Sequence, residues 1–437
     1  MMKKEELLKT INKLNIKFIR LQFTDILGKI KNLALPAKNL INNLDDGIVF
    51  DGSAIDGFAR LEEKEMYLKP DYNTFKVLPW RSKRRARVAR LICDVYATEK
   101  QPFAGGPRNV LKKVRSKFKK IGYTMFVSPE IEFFLFQNAN AGAGETLSYD
   151  SNSYFDLETT FKGREVRKEI VLVLNQMGFN VKETHHEVAP GQHEISLQDQ
   201  EVLAAADDIV TAKFVIKSVA DQYGLQATFM PKPVYGKTGS GLHLHQSLFK
   251  NGENIFGDES QRLNLSKVAK CYINGLLAHA AGLTAITNPA VNSYKRLVAG
   301  YEAPISTAWS SRSRNSFLRV TKTAREGKEI ELRNVDAIAN PYLALASILQ
   351  AGLEGIENGR EELLIDREQK YLPQDLSEAL EELKKDEVIK NVLGEYIIDK
   401  FITAKKIEFD VYQTQVHDWE LKRYLDLFRQ NKIIDPI

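Results

Sequence analysis

Residues 128–136 read SPEIEFFLF, and residues 185–196 read HHEVAPGQHEIS. Successive side chains of an extended chain alternate faces, so Glu130 and Glu132 share one face of the first segment. Their neighbours Ile131, Phe133 and Phe134 are apolar, which predicts a largely buried strand. Two carboxylates on one buried face repel each other and are poorly solvated; a bound cation offsets both costs. In the second segment Pro190-Gly191 is a turn signal. Folding about that dipeptide sets Glu187 opposite Glu194, a second like-charged pair that a cation would relieve.

Two more segments extend the pattern. In GSGLHLHQSL (239–248), His243 and His245 alternate with Leu242 and Leu244 and so share a face. The preceding Gly239-Ser240-Gly241 permits close backbone approach to a ligand. In EIELR (329–333), Glu331 and Arg333 share a strand face. Five of the seven histidines fall between positions 185 and 245, which points to where chemistry sits. Taken alone, each piece also fits a solvated strand edge or a structural histidine. Together they offer five carboxylates and at least one imidazole among apolar neighbours. Oxygen-rich ligation without thiolate suits Mg²⁺ or Mn²⁺ better than Zn²⁺, and two ions could be served. Sites of that kind commonly handle phosphate-bearing substrates.

A basic cluster follows. Arg296, Arg312, Arg314, Arg319 and Arg333 supply planar forks for carboxylates and phosphates. Gly300 lies two residues before Glu302, which suits a mobile loop carrying an acid. The residues alone describe a Mg²⁺- or Mn²⁺-dependent enzyme acting on a phosphorylated or carboxylate substrate. A metal-dependent hydrolase fits them equally well.

The rest of the chain sets bounds. Its 437 residues suggest two to four domains, and 43% hydrophobic with 27% charged residues is ordinary for a globular protein. Lys plus Arg is 62 against 57 Asp plus Glu, a net of +5 that demands neither a nucleic-acid nor a membrane partner. Cys93 and Cys271 sit in apolar contexts and read as buried reduced thiols, which fits a cytoplasmic protein. The start, MMKKEELLKT, reads as neither a signal peptide nor a membrane span. Leu7, Leu8, Ile11 and Leu14 have helical spacing, and KFIRLQFTD then alternates as a strand. The stretch PFAGGP (102–107) marks a domain boundary, followed by a helix from Arg108. Residues 81–90 hold six basic residues in ten and read as a solvated hairpin face, because no aromatics interleave. GKT at 236–238 is not a phosphate loop, because Pro231 stands where its first glycine is needed.

FDGSAIDGF, SPEIEFFLF, HHEVAPGQHEI, GSGLHLHQSL, NPAVNSYKRLVAGYEAP and ELRNVDAIANPYLALA occur in one order over nearly the whole chain. Together they resemble class I glutamine synthetase, the shorter alpha-type of bacteria and archaea. The resemblance implies an α+β chain with an N-terminal β-grasp domain (1–103). A catalytic domain (104–437) follows, with a curved antiparallel sheet and flanking helices. It implies ligation of ammonium to glutamate through a γ-glutamyl phosphate, with ATP as co-substrate. It also implies a homo-dodecamer of two hexameric rings with sites shared between subunits. Glu132, Glu187 and Glu194 would hold one metal; Glu130, His243 and Glu331 would hold the other. Gly239, Arg296 and Arg333 would bind glutamate, and His245 and Ser247 would contact ATP. Arg314 and Arg319 would stabilise the transferring phosphoryl group. Glu302 on the flap, and Asp51 from a neighbouring subunit, would serve ammonium, with Tyr154 lining its pocket.

The chain departs from the family at Ala54, Thr238, Lys182, Asp199 and Glu329. Ala54 stands near the ammonium site, and Thr238 at a contact to the glutamate amino group. Lys182 has Glu183 beside it; Lys182, Asp199 and Glu329 surround the nucleotide. These changes leave two alternatives: a γ-glutamyl–amine ligase of the same family, or a catalytically weak regulatory paralogue. Arg60 matches an arginine linked to glutamine feedback. Tyr371 sits poorly for an adenylylation site, so no adenylylation is expected.

Overall fold

The computed structural model describes residues 2–42, 44, 47–53, 55, 65–81, 87–137, 150–157, 161–322, 327–363 and 370–425. The alternation in KFIRLQFTD becomes the strand Ile16–Thr24, with Ile19, Leu21 and Phe23 buried. It lies between Ile30–Pro36, antiparallel, and Arg87–Tyr96, parallel. Glu65–Val77 and Ile48–Asp51 complete a five-stranded sheet. The helix Lys4–Lys13 buries Leu7 and Ile11 in the same small core.

A larger, ten-stranded sheet carries the segments 128–136 and 185–196. Its central strand, Tyr123–Gln137, pairs antiparallel with Leu242–Lys250 on one side and Gln192–Leu197 on the other. Lys328–Leu332 and Leu318–Lys322 follow beyond the former, and Val181–His186 beyond the latter. The sheet is not wholly antiparallel: the edge strand Trp309–Ser310 pairs parallel with Leu318–Lys322. Val127, Ile131, Phe133 and Leu135 pack into the main core, with residues from the helices Pro107–Lys120, Val202–Gln222 and Pro341–Asn358. That last helix has a fully specified start and stop. Asn340 caps it, Pro341 follows in its first turn, and Gly359 ends it at φ 65°. Among the described residues no helix is long and apolar enough to cross a membrane. Cys93 and Cys271 are both buried and unpaired.

The two cores meet across a buried ionic network. Arg108 donates to both oxygens of Asp207 at 2.9 and 2.8 Å, to Asp94 at 2.8 Å and to Asp71 at 2.8 Å. Arg90 donates to the Thr74 carbonyl at 2.9 Å and to the Thr211 hydroxyl at 2.8 Å. It is 2% exposed, so the basic run ending at residue 90 is not a uniformly solvated face. Residues 82–86 of that run lie outside the described residues. Arg90 is inward because strand alternation aims it at the helix Val202–Gln222. Burial raises the Asp71 carboxyl and the Arg108 guanidinium more than reverses it, so its pKa is lowered.

Truncating one member of a buried ionic network leaves the others uncompensated. Arg108→Ala should therefore cost about 3–5 kcal/mol. The denaturation midpoint reads this, and a wild-type midpoint would refute it. His279 gives a pH-dependent test. Its Nδ1 lies 2.8 Å from Asp386 and its Nε2 3.4 Å from Glu354. Burial disfavours the imidazolium, but the two carboxylates raise its pKa overall. A raised histidine stabilises fully below its unfolded value, about 6.5, and loses that contribution as pH climbs through the folded value. His279→Asn should remove this component of the loss of stability above neutral pH, seen by thermal melts across pH.

Candidate active site

Strand pairing lays the charged residues in one row across the large sheet. His185 faces Glu194, and Glu194 faces Glu132. On the same central strand Glu130 faces His243; His245 faces Glu331, and Glu331 faces Arg319. The row forms the floor of a cavity of about 200 Å³. Glu130, Glu132, Glu194 and His243 line it from the sheet, and Glu187 from just past the end of the strand Val181–His186. Tyr154, Thr238, Gly239, Arg296, Glu302, Arg314, Arg319 and Arg333 line it from loops and flanking strands. His245, Ser247 and Glu331 lie beside it on the same strands. Asp51 does not line the cavity; it ends a strand of the small sheet, where its Oδ1 accepts from Ser53. Ala54 and Arg60 lie outside the described residues.

The donor atoms converge closely. His243 Nδ1 is 3.2 Å from Glu130 and 3.8 Å from Glu331, and its Nε2 is 3.5 Å from Glu132. His245 Nε2 is 2.9 Å from Glu130, and its Nδ1 2.9 Å from Glu329. Among the described residues three groups at the cavity have ligand atoms within 4.8 Å of one another, Glu130–Glu194–His243, Glu130–His245–Glu331 and His185–Glu187–Glu194, and a fourth, Asp150–His186–His193, lies behind it. The three at the cavity share Glu130 and Glu194, a different partition from the one the resemblance implies. Burial, then Glu130, Glu132 and Glu187, push the Glu194 carboxyl up to about 9. Burial also raises Glu132, although Gly241 N–H donates to it at 2.8 Å. Glu130 goes the other way: burial opposes ionisation, but His245 and His243 hold it well below the ordinary value. His245 rises to about 10, burial being overcome by Glu130, Glu329 and Glu331. So many oxygen donors, one of them unable to ionise at neutral pH, fit a divalent cation.

The arginines are held by backbone oxygens. Arg296 donates to the carbonyls of Asn334 and Arg333 at 2.9 and 3.0 Å. Arg333 donates to the Arg314 carbonyl at 2.7 Å and pairs with Glu331, which also pairs with Arg319. Arg314 stands over the Tyr154 ring at 5.7 Å. The close approach that Gly239 and Gly241 allow is to the protein itself. A Cβ at Gly239 would meet the Pro231 carbonyl at 2.0 Å, and one at Gly241 would meet Arg296 and His243 at 2.8 Å.

Two readings of register need correction. Glu187 does not face Glu194. Glu187 N–H donates to the Gln192 carbonyl at 2.8 Å, and His185 is the residue opposite Glu194. Val188 and Ala189 belong to the loop, whereas Gln192 directly after Gly191 is already strand, so the turn centre shifts. Glu187 reaches Glu194 diagonally on the same face. At Lys182 the strand bulges between Val181 and Glu183. Lys182 is exposed, and Glu183 takes a place on the cavity wall. Asp199 is half-buried and off the cavity wall. Glu329 accepts from His245 and from Thr321, each at 2.9 Å.

The sequence reading missed Gln192, Phe155 and Tyr301 on the cavity wall, and Asp150 behind it. Gln192 was legible, since it alternates with Glu194. Its amide donates to Glu132 at 3.2 Å and to the Gly239 carbonyl at 3.0 Å, and its oxygen accepts from Thr238 at 2.6 Å. Asp150 has no local signal. Its carboxylate accepts from Gly191 N–H at 2.8 Å and lies 3.3 Å from His186 Nε2. His186 Nδ1 faces the Glu187 carbonyl at 2.7 Å, so this buried pair braces the hairpin that carries Glu187 and Glu194. Its neighbour His193 faces Arg167 at 2.9 Å; burial and that arginine hold His193 well below its ordinary pKa. A guanidinium there argues against a further cation. Glu302 sits at φ 56°, uncommon for a residue other than glycine, and follows Gly300 at φ 89°.

A small mixed sheet joined to a large sheet with a carboxylate-floored cavity defines a two-domain α+β catalytic chain. A model described as the glutamine synthetase beta-Grasp domain matches residues 15–98, and one described as the glutamine synthetase catalytic domain matches 104–424. The chain belongs to the glutamine synthetase family. It is 46% identical to a glutamine synthetase of Clostridium saccharobutylicum, covering 97% of this chain and 99% of that one. It is 47% identical to one of Thermus thermophilus, covering 97% and 98%. Among solved structures it resembles a GmaS/ADP complex (TM-score 0.87, 32% identity, 96% and 99% covered). It also resembles a Plasmodium falciparum glutamine synthetase determined by cryo-electron microscopy (TM-score 0.89, 25% identity, 97% and 99% covered).

The raised carboxyls make a sharp prediction for metal-free protein. Glu194 holds its proton in the fold up to about 9, against 4.5 ordinarily. Its folding contribution is therefore present at acid pH and is lost as pH rises through that window. Melts of chelator-treated protein should fall from pH 5 to 9, and added Mn²⁺ should flatten the curve. Glu187→Ala should abolish turnover yet leave the metal-free melting temperature unchanged or higher, because it removes one like charge.

Proposed function

We propose that the chain joins ammonium to the γ-carboxylate of L-glutamate, with ATP converted to ADP and phosphate. The observation that carries this reading is a single cavity lined by Glu130, Glu132, Glu187, Glu194 and His243 together with Arg296, Arg314, Arg319 and Arg333. The carboxylates suit two divalent cations, Mg²⁺ or Mn²⁺; the arginines suit a dicarboxylate and a phosphoryl group. The family relationship supports the same chemistry, and the ADP named in one structural neighbour supports an adenine nucleotide.

Bound cations would neutralise the phosphate oxygens and polarise the transferring group. Arg296 and Arg333, their guanidinium planes fixed by backbone carbonyls, orient glutamate through its carboxylates. The γ-carboxylate oxygen then attacks the terminal phosphorus of ATP and ADP leaves, giving γ-glutamyl phosphate. Arg314 and Arg319 stabilise the negative charge spread over the transferring oxygens. His245, within the row, and Ser247, further along the same strand, would contact the nucleotide phosphates. Ammonia next attacks the γ-carbonyl carbon, phosphate departs, and Glu302 takes a proton from the nitrogen. Tyr154 lines that approach, and Asp51 of a neighbouring copy binds ammonium, in a homo-dodecamer of two hexameric rings in the cytoplasm. The two domains divide at residues 103 and 104.

The test is phosphate release by purified protein with ATP, Mg²⁺ and glutamate, with ammonium against small amines. Ammonium-dependent release with one glutamine per phosphate is the expected result. Release only with amines would assign a γ-glutamyl–amine ligase instead, and no release with any acceptor would overturn a catalytic role.

A further inference from the structure

The flap that carries Glu302 is gripped by a lysine to which the reaction above gives no role. Lys232 follows the strand Leu225–Thr228 in an irregular loop. Its backbone is fixed on both sides by one side chain. Lys232 N–H donates to Asn292 Oδ1 at 2.8 Å, and its carbonyl accepts from Asn292 Nδ2 at 3.1 Å. From that anchored position the ammonium donates to the Lys237 carbonyl and lies 3.4 Å from the centre of the Tyr301 ring. Of the cation–ring contacts given between described residues, this is the shortest. Burial, then the neighbouring Arg296, lower the lysine to about 8, so it stays mainly charged at neutral pH. An ammonium partly removed from water gains more from an aromatic face than a solvated one.

Tyr301 faces the cavity beside Glu302. On its N-terminal side stands Gly300 at φ 89°, with nothing within 4 Å of where a Cβ would be. On its C-terminal side Ala303 is buried. Burial thus holds the segment at Ala303, open space surrounds Gly300, and Tyr301 stands between them. We propose that Lys232 is a positioning residue for this flap. Its ammonium clamps the Tyr301 ring and so sets the Glu302 carboxylate over the cavity, where it meets ammonium and keeps water from the acyl phosphate. This role rests on the phosphorylated intermediate proposed above. If the clamp opens, water attacks in place of ammonia, returning glutamate and phosphate without glutamine.

The experiment uses assembled enzyme carrying Lys232→Met, Lys232→Arg, Tyr301→Leu or Lys232→Met with Tyr301→Leu. Hydrogen exchange of the amides of residues 298–304 reads the flap directly and needs no turnover. Lys232→Met and Tyr301→Leu should each speed that exchange roughly tenfold, with the double variant no faster than either. Lys232→Arg should keep the wild-type rate. In turnover, Lys232→Met should release more phosphate than the glutamine it forms, and Lys232→Arg should stay balanced. Wild-type exchange in Lys232→Met, or exchange in Lys232→Arg as fast as in Lys232→Met, would overturn the clamp. A wild-type protein that forms no glutamine would instead defeat the proposed reaction, and the exchange rates would still decide the clamp.

Discussion

The structure is organised around an unfavourable contact. One face of the large sheet gathers Glu130, Glu132 and Glu194 in adjoining register positions, with Glu187 diagonal to them. Apolar core beneath the same strands keeps the row from moving into water. Like charges in such a place interact strongly, because little solvent screens them. The protein tempers this internally: His243 and His245 face Glu130, Arg319 and Arg333 hold Glu331, and Glu194 keeps its proton. What remains uncompensated is concentrated charge aimed at one cavity, which is what a divalent cation requires.

The rest of the fold keeps that row in place. Strand register sets which residues share it, and the helices on the opposite face supply the burial. Asp150 and His186 brace the hairpin from behind, and Gln192 ties Glu132 to the loop of Thr238 and Gly239. The Arg108 network binds the small sheet to the catalytic core through groups that would be costly to leave unpaired. Glu329 accepts from the outer nitrogen of His245 and so helps keep that imidazole charged.

Much of the site was legible because strands obey a period of two. Alternation alone joined Glu130 with Glu132, His243 with His245, and Glu331 with Arg333, and the buried neighbours marked which strands were interior. What failed was counting across irregularities. The partner of Glu187 was misplaced because the hairpin loop is unequal on its two sides, and Lys182 looked out of place because one bulged residue shifts the register. Arg90 hid within a basic run, since local composition does not reveal a partner 121 residues away. Asp150 and Tyr301 were illegible for the same reason: each acts through a contact that only the tertiary fold creates. The β-grasp and catalytic domains came from resemblance, and the family models match both.

Metal binding in so crowded a carboxylate site must displace protons. Calorimetric titration with Mn²⁺ in buffers of different ionisation heat counts those protons directly. Net proton release is expected near pH 7.5, because Glu194 still holds its proton there, and it should fade as pH passes about 9. Tight Mn²⁺ binding with no proton release at pH 7.5 would contradict it.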